Sequence, residues 1–555
     1  MVGKYFVCLM TVFTLLHINL NKASASQLNQ EDGILPNHSA EYVRTQSRNA
    51  STEADAVFYN PAGTAFMKKQ GLYIMLSLQG IYDKKDSSFQ HQAGTQLTPA
   101  LAAFSWRPST HLGQLSFYTT NNEYLIPKRY PGVVITPDPD LDIVYKGKNW
   151  AAFLYTAVMQ SAGLSGLKYD NGVPDLDRAI LTLNESLVQN ILFGPAPLTR
   201  VIRKNSAKRD ELFLSGTIGG SYAILNWLSA AFAYRFIYAS GKQVISQIPI
   251  DVFGGGVSPF SLMSANAPVY ISTSIHGSGH GLIFGLDFKP LGSLNIGVRG
   301  EYYSPMVLAK KTNKFLVNPI LAQSGQLNLF ADGILPLIIN QQFFQAGGGA
   351  VLGAAGLLNF GTMDFRYLTL IGKQLKVTYP PSIHIGVAFN ILKDLQETTS
   401  ANITFPRARD LDGREKYYKP VGFRLGQSIE YTLLDMVIVS AGYSYNDFGI
   451  RKSRRTETDE LLTSHTIGAG CTVKALEWMD VTVSGFYSIF PPAGNRTVDA
   501  VKSEVIPGLG STLGASMWTK KFYEKQWGIA IGITGRYFGE GAPFGTKSVE
   551  QPKKL

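Results

Sequence analysis

Cysteine is nearly absent from this 555-residue chain, which has only Cys8 and Cys471. Cys8 falls in the apolar centre of an N-terminal segment with the layout of a secretory signal. Lys4 supplies the charge, residues 5–16 the apolar run, and Ala23-Ser24-Ala25 the small-residue cleavage site. Removing residues 1–25 leaves Cys471 alone, which excludes an intramolecular disulfide and a cysteine-ligated metal site. The apolar run is short for a spanning helix and is followed by polar Asn19, Asn21 and Lys22, so an inner-membrane anchor is the alternative reading. Charge is also scarce, at 16% of residues. The net charge is +11, or +9 once Lys4 and Lys22 are gone, but no basic stripe with interleaved aromatics exists to bind nucleic acid. The positive balance suits at most a weak attraction to anionic surfaces or ligands.

Catalytic and cofactor signatures are missing as well. His276-Gly277-Ser278-Gly279-His280 offers two imidazoles and a hydroxyl, yet no acid or amide is placed to orient a base, and a metal would lack its third ligand. Gly508-Leu509-Gly510-Ser511-Thr512-Leu513-Gly514 is a loose glycine loop without the lysine that a phosphate loop requires. The chain reads as a non-enzyme without a cofactor.

What is present is glycine (55 residues), aromatics (12%) and a mean hydropathy of +0.02. Strands with one lipid face and one lumen face give that average, whereas helical membrane proteins score far higher. Period-two alternation recurs from about Leu72 onward. Trp527, Ile529, Ile531, Ile533 and Tyr537 share one face; Leu228, Phe232, Tyr234, Phe236 and Tyr238 share another. Leu282–Phe288, Leu294–Tyr302, Ile383–Phe389 and Val437–Tyr445 repeat the pattern. Charges fall on the opposite faces: Arg235, Asp287, Arg299, Glu301, Arg424, Glu430 and Arg536. A charge at the lipid midplane costs about 2–4 kcal/mol, so these side chains must line a lumen, or else face water in a soluble β-sandwich. A hairpin-friendly spacing of about 30–35 residues per strand predicts an all-β, transmembrane antiparallel barrel of about 14 strands over residues 69–538.

Three segments break the rhythm. Residues 174–193 carry Leu176, Ile180, Leu183, Leu187 and Ile191 at helical spacing, followed by Phe193, and predict an amphipathic helix in a long loop. Residues 333–363 hold no charge and include Leu335, Ile338, Phe343 and Phe344; an apolar extracellular loop is favoured over a spanning helix because Asn340, Gln341, Gln342 and Gln345 interrupt the run. Both stripes need a partner to bury against, and a greasy ligand is one such partner. The third segment, residues 26–68, is polar and irregular and carries Phe58-Tyr59-Asn60-Pro61-Ala62-Gly63, where proline fixes φ and glycine permits a tight bend.

In that position, behind a signal and ahead of the strands, Phe58-Tyr59-Asn60-Pro61-Ala62-Gly63 resembles the N-terminal plug of the FadL/TodX family of outer-membrane transporters. The resemblance implies a 14-stranded, multi-pass outer-membrane barrel whose lumen is closed by an N-terminal hatch. It implies passive uptake of hydrophobic small molecules such as long-chain fatty acids, with hatch movement and lateral exit through the wall. Leu183, Leu187, Ile191, Phe193, Leu335, Ile338, Phe343 and Phe344 are then candidates for an apolar groove, and Arg235 or Arg299 for pairing with a carboxylate. The expected partners are outer-membrane lipid and the barrel-assembly machinery, engaged through a last strand ending at Phe538; residues 539–555 form a periplasmic tail, and the barrel is a monomer. An aqueous porin and a surface adhesin remain the alternatives.

Overall fold

The computed structural model describes residues 39–92, 138–161, 167–169, 198–202, 206–246, 251–254, 270–316, 358–359, 374–410, 415, 418–451, 462–491, 493–501 and 514–537. Fourteen antiparallel strands close on themselves in sequence order. They are β1 (Gly71–Gln92), β2 (Asp138–Lys146), β3 (Trp150–Ser161), β4 (Ser206–Leu225), β5 (Leu228–Ser246), β6 (Tyr270–Leu291), β7 (Leu294–Tyr303), β8 (Ser382–Leu392), β9 (Leu395–Thr404), β10 (Gly422–Leu433), β11 (Val437–Asp447), β12 (Ser464–Leu476), β13 (Met479–Ile489) and β14 (Gly514–Tyr537). The barrel closes where β14 pairs with β1, from Leu72 opposite Tyr537 to Gln92 opposite Met517. Closure leaves no sheet edge, as a membrane-spanning sheet requires.

Connections alternate in length. Gly147-Lys148-Asn149, Asn226-Trp227, Gly292-Ser293, Lys393-Asp394, Leu434-Asp435-Met436 and Glu477-Trp478 make tight turns at one end, where Gly71 and Tyr537 also lie. The other connections are long, so the two ends are the periplasmic-type and extracellular-type ends of such barrels.

The outward faces are greasy. Ile218, Phe232, Phe284, Ile429, Ile467, Val483, Ile529 and Ile531 are all exposed, and each is flanked in its strand by inward-facing residues. Exposed Trp150, Tyr222, Trp227, Tyr431 and Trp478 ring the tight-turn end, and exposed Tyr238, Tyr302, Tyr443, Tyr487 and Trp527 ring the upper side. From Tyr537 to Trp527 the strand climbs about 25 Å at the usual tilt, the height of an apolar barrel belt. No described helix is long and apolar enough to cross a membrane. Arg235, Asp287, Arg299, Glu301 and Glu430 are buried inside, as their strand faces require. This is an outer-membrane-type barrel. A lysine on its lipid face, Ile531→Lys at mid-height, is expected to cost about 2–4 kcal/mol of folding free energy in lipid vesicles, read from denaturant titration.

Candidate functional site

Residues 39–67 lie inside the cylinder and are almost wholly buried. The segment opens with α1 (Ala40–Thr45), capped by Ser39, whose Oγ accepts from the Tyr42 amide at 3.0 Å. Gln46, in the left-handed region at φ 57°, ends the helix and turns the chain along the wall. A second short helix, α2 (Ala56–Tyr59), leads into a 3₁₀ turn over Pro61–Phe66.

The backbone of this segment lies directly on lumenal glycines. Val43 O, Thr45 O and Gln46 O sit where Cβ atoms of Gly468, Gly442 and Gly426 would project, and Asn49 does the same at Gly386 and Gly297. Gly532 faces Ala40 Cβ at 3.0 Å, and Gly285 faces Pro61 Cγ at 3.1 Å. Gly468 stands opposite Gly442 and Gly386 opposite Gly297, so the glycines form a groove around the inner wall. Glycine weakens a strand by roughly 0.5–1 kcal/mol relative to alanine, a cost offset here by direct seating of the chain.

Side chains then tie the segment to the wall. Glu430 on β10 meets Arg44 at 2.5 Å and Arg48 at 3.4 Å. Arg44 also pairs with Glu41 at 2.5 Å, and Arg48 with Asp55 at 2.7 Å and Glu53 at 2.6 Å. Glu41 accepts from Thr482 and, at 3.3 Å, from Thr472. Desolvation raises the Asp55 carboxyl against the pull of Arg48. For Glu53 the desolvation cost is outweighed by Arg48 and Arg44, which hold it at about 2. The Asn60 amide donates to Ser51 O at 3.0 Å and to Asp287 on β6. Asn295 donates to the same carboxylate oxygen at 3.1 Å, Ser229 to Ala62 O at 2.8 Å, and Thr64 shares a 2.7 Å bond with Ser221. The Asn-Pro-Ala-Gly turn is thereby fixed to β4, β5, β6 and β7. A cavity of ≈ 940 Å³ opens below it toward the tight turns, with Arg44, Arg48, Lys289, Lys393, Asp480 and Arg536 in its lining.

Above the turn, two guanidiniums approach the Phe58 ring, Arg299 at 4.9 Å and Arg235 at 5.3 Å from its centroid. Tyr155 packs on the same ring at 5.0 Å. Arg235 donates to Thr217 at 2.9 Å and to Tyr303 at 2.6 Å, and Tyr303 donates to Glu301 at 2.7 Å. Glu301 lies 3.3 Å from Arg299 and 3.5 Å from Arg235. One carboxylate thus serves two buried cations, and Arg235 Nη2 and Arg299 Nη1 have no hydrogen-bond partner. A cavity of ≈ 40 Å³ beside Phe58, Arg299, Glu301 and His384 has room for a few waters and not for an acyl chain.

Higher still the lumen turns apolar. Met159, Phe213, Ile237, Ala239, Met306, Leu308, Tyr379 and Ile450 form one buried cluster with Tyr303. The stretch 276–281 finds its role here: Cβ atoms on Gly277, Gly279 and Gly281 would project to 2.6 Å from Leu308, 2.6 Å from Met306 and 2.7 Å from Tyr303. The glycines let those side chains lie flat across β6. His280 faces outward instead, bonded to Tyr234 at 2.5 Å, so the two histidines do not build a lumenal site.

Beside this cluster the wall is interrupted. β7 pairs with β8 up to Glu301 opposite Ser382, and the same register resumes with Met306 opposite Val377. Between them Tyr302-Tyr303-Ser304-Pro305 and Thr378-Tyr379-Pro380-Pro381 contribute no pairs to the ladder. Three prolines there supply no N–H donors. The Tyr303 and Tyr379 rings, 5.5 Å apart, cover the break from within.

No known protein-family profile matches the chain, and no curated protein sequence does. Solved structures do. A Pseudomonas aeruginosa FadL homologue superposes with a TM-score of 0.54 at 13% identity, over 91% of this chain and 99% of that one. This chain has the FadL-type fold. The P. putida toluene transporter TodX (TM-score 0.45, 11% identity, 88% and 95% covered) and the Ralstonia pickettii toluene transporter TbuX (0.44, 10%, 87% and 94%) also match. In this FadL-type barrel Phe58, the first residue of the Phe58-Tyr59-Asn60-Pro61-Ala62-Gly63 motif, meets Arg235 and Arg299, so the two groups of candidates touch at that ring. Leu183, Leu187, Ile191, Phe193, Leu335, Ile338, Phe343 and Phe344 lie outside the described residues, as do residues 1–38, Phe538 and the tail. Glu301 was expected in the lumen but not as the partner of both arginines, and Tyr303 and the proline-lined break were not anticipated. Gly442→Val is expected to leave a folded barrel, shown by heat-dependent electrophoretic mobility, with the lumenal segment displaced. Protease cleavage within residues 39–67 then rises at least tenfold over the parent protein.

Proposed function

We propose that this protein is a passive outer-membrane transporter for hydrophobic small molecules, with long-chain fatty acids as the substrate class. The observation that carries the reading is the contrast between the two ways out of the apolar upper lumen. Downward, a ligand meets the Arg44–Glu430–Arg48 network, whose partners are costly to strip singly in a buried setting. Sideways, it meets Met306, Leu308 and the Tyr302–Pro305 stretch, which has no ladder pairs on its β8 side. An aqueous porin needs the reverse, an open polar bore.

In this reading the apolar loop segments collect the ligand from water, and each methylene buried in the upper lumen contributes about 0.8 kcal/mol. The carboxylate is received by the spare donors of Arg235 and Arg299, where one cation lacks a counter-charge. Phe58 links that event to the hatch, because drawing either guanidinium toward a new anion weakens its hold on the ring. The hatch turn then shifts, and the ligand leaves through the proline-lined break into lipid. Driving force comes from the concentration gradient alone.

Two measurements test this. Replacing both Arg235 and Arg299 by Gln is expected to weaken fatty-acid binding by about 10–100-fold, the worth of a charge-assisted hydrogen bond, while an alkane of equal length binds unchanged. Replacing Pro305, Pro380 and Pro381 by Thr restores ladder donors and is expected to cut uptake at least tenfold with binding intact. Unchanged uptake in that folded variant would rule out this exit, and ohmic conductance of the parent protein without lipid binding would favour a porin.

A further inference from the structure

A second charged site lies on β2 and β3 beside the hatch, and its two carboxyls have no role in the transport reading. Asp140 and Asp142 project from β2 into the barrel, 2% and 1% exposed. Both oxygens of Asp142 and Oδ1 of Asp140 lack any hydrogen-bond partner, and no cation pairs with either residue. Tyr155, directly opposite Asp142 on β3, is 1% exposed, and its hydroxyl is also without a partner. That phenol lies within electrostatic reach of both carboxylates. Among the described residues, the side chains that face the two carboxyls from β1, β3 and the hatch carry no positive charge, although Arg235 lies within electrostatic reach of Tyr155. β1 contributes Met75 and Ser77, β3 contributes Tyr155 and Ala157, and the hatch contributes Asp55 and Tyr59, with Asp55 already committed to Arg48.

Two unpaired carboxylates enclosed by protein are unfavourable unless a positive charge joins them or they take up protons, and the two cases differ in whether the site binds a cation. Every other buried acid on the hatch and its contacts has a partner: Glu41, Asp55, Asp287, Glu301 and Glu430. The sequence also repeats aspartate at 138, 140 and 142, one residue in two, as a strand would present acids to one face.

We infer that Asp140 and Asp142, with the Tyr155 hydroxyl, bind a hard divalent cation that clamps the hatch face of β2. Two carboxylates balance such an ion, and an all-oxygen set suits calcium over softer metals. Among the described residues no three His, Cys, Asp or Glu side chains converge on one point, so water completes the shell. Phe58 packs on the Tyr155 ring, so the cation would stiffen the residue that the two arginines grip.

Terbium is the probe, because tyrosines at 59 and 155 would sensitise its emission. The full chain, folded in detergent and excited at tyrosine wavelengths, is expected to show saturable terbium emission that calcium displaces and sodium does not. Asp140→Asn with Asp142→Asn keeps shape and removes charge; emission at half-saturating terbium is expected to fall at least tenfold, with heat-dependent mobility retained. Tyr155→Phe, which preserves packing, is expected to weaken calcium competition severalfold. Emission equal to the parent protein in the folded double variant overturns the inference, and so does an absence of saturable emission, which would mean that the carboxyls are held as neutral acids. Neither result bears on fatty-acid binding at Arg235 and Arg299, so the two readings fail separately.

Discussion

The contact on which the interior depends is backbone against backbone: the carbonyls of Val43, Thr45, Gln46 and Asn49 lie on the bare Cα faces of wall glycines. An extended polar segment cannot be buried in a barrel unless its peptide groups come close enough for wall side chains to satisfy them. Glycine supplies the closeness, and Ser400, which accepts from the Asn49 amide, with Asn295 and Ser229, which donate to the Ala50 and Ala62 carbonyls, supply the bonds. Only then do the ion pairs have fixed geometry. Arg44 and Arg48 reach Glu430 because α1 and the turn after it are already seated.

That seating divides the lumen by polarity. Below lie paired charges and a water-accessible vestibule; above lies an apolar cluster. The boundary is a layer one side chain thick, Phe58 with Arg235, Arg299 and Glu301. A layer with two cations and one anion is electrostatically unfinished, and a ligand carboxylate would complete it. The interrupted ladder between β7 and β8 stands at the same level as Tyr303, so the arginine layer and the wall break share a residue.

Much of this was legible in the chain. Alternation identified the lipid faces of β5, β6, β7, β8, β11 and β14, because a strand in a bilayer obeys a period of two with little tolerance for error. The same rule sent Arg235, Asp287, Arg299, Glu301, Arg424 and Glu430 inward. The glycines on the inward faces, such as Gly386, Gly426, Gly442 and Gly468, were visible as a signal but not as a groove. Their shared height depends on inter-strand register, which period-two patterning leaves free in multiples of two. The histidine pair at 276 and 280 misleads in the opposite way, since the functional positions in that stretch are the glycines between.

By itself, then, the sequence determined which side of the clearest strands meets lipid, that the barrel has about fourteen strands, and that the irregular N-terminal segment is set apart from it. Those properties are local, written in alternation and turn chemistry. Only the tertiary structure decided that Asn60 would find Asp287, that Phe58 would meet Arg235 and Arg299, and that Pro305 would face Pro380 and Pro381 across one seam. Each of those meetings joins residues distant in the chain, and closure of the cylinder at one shear is what selects among the registers that would bring them together.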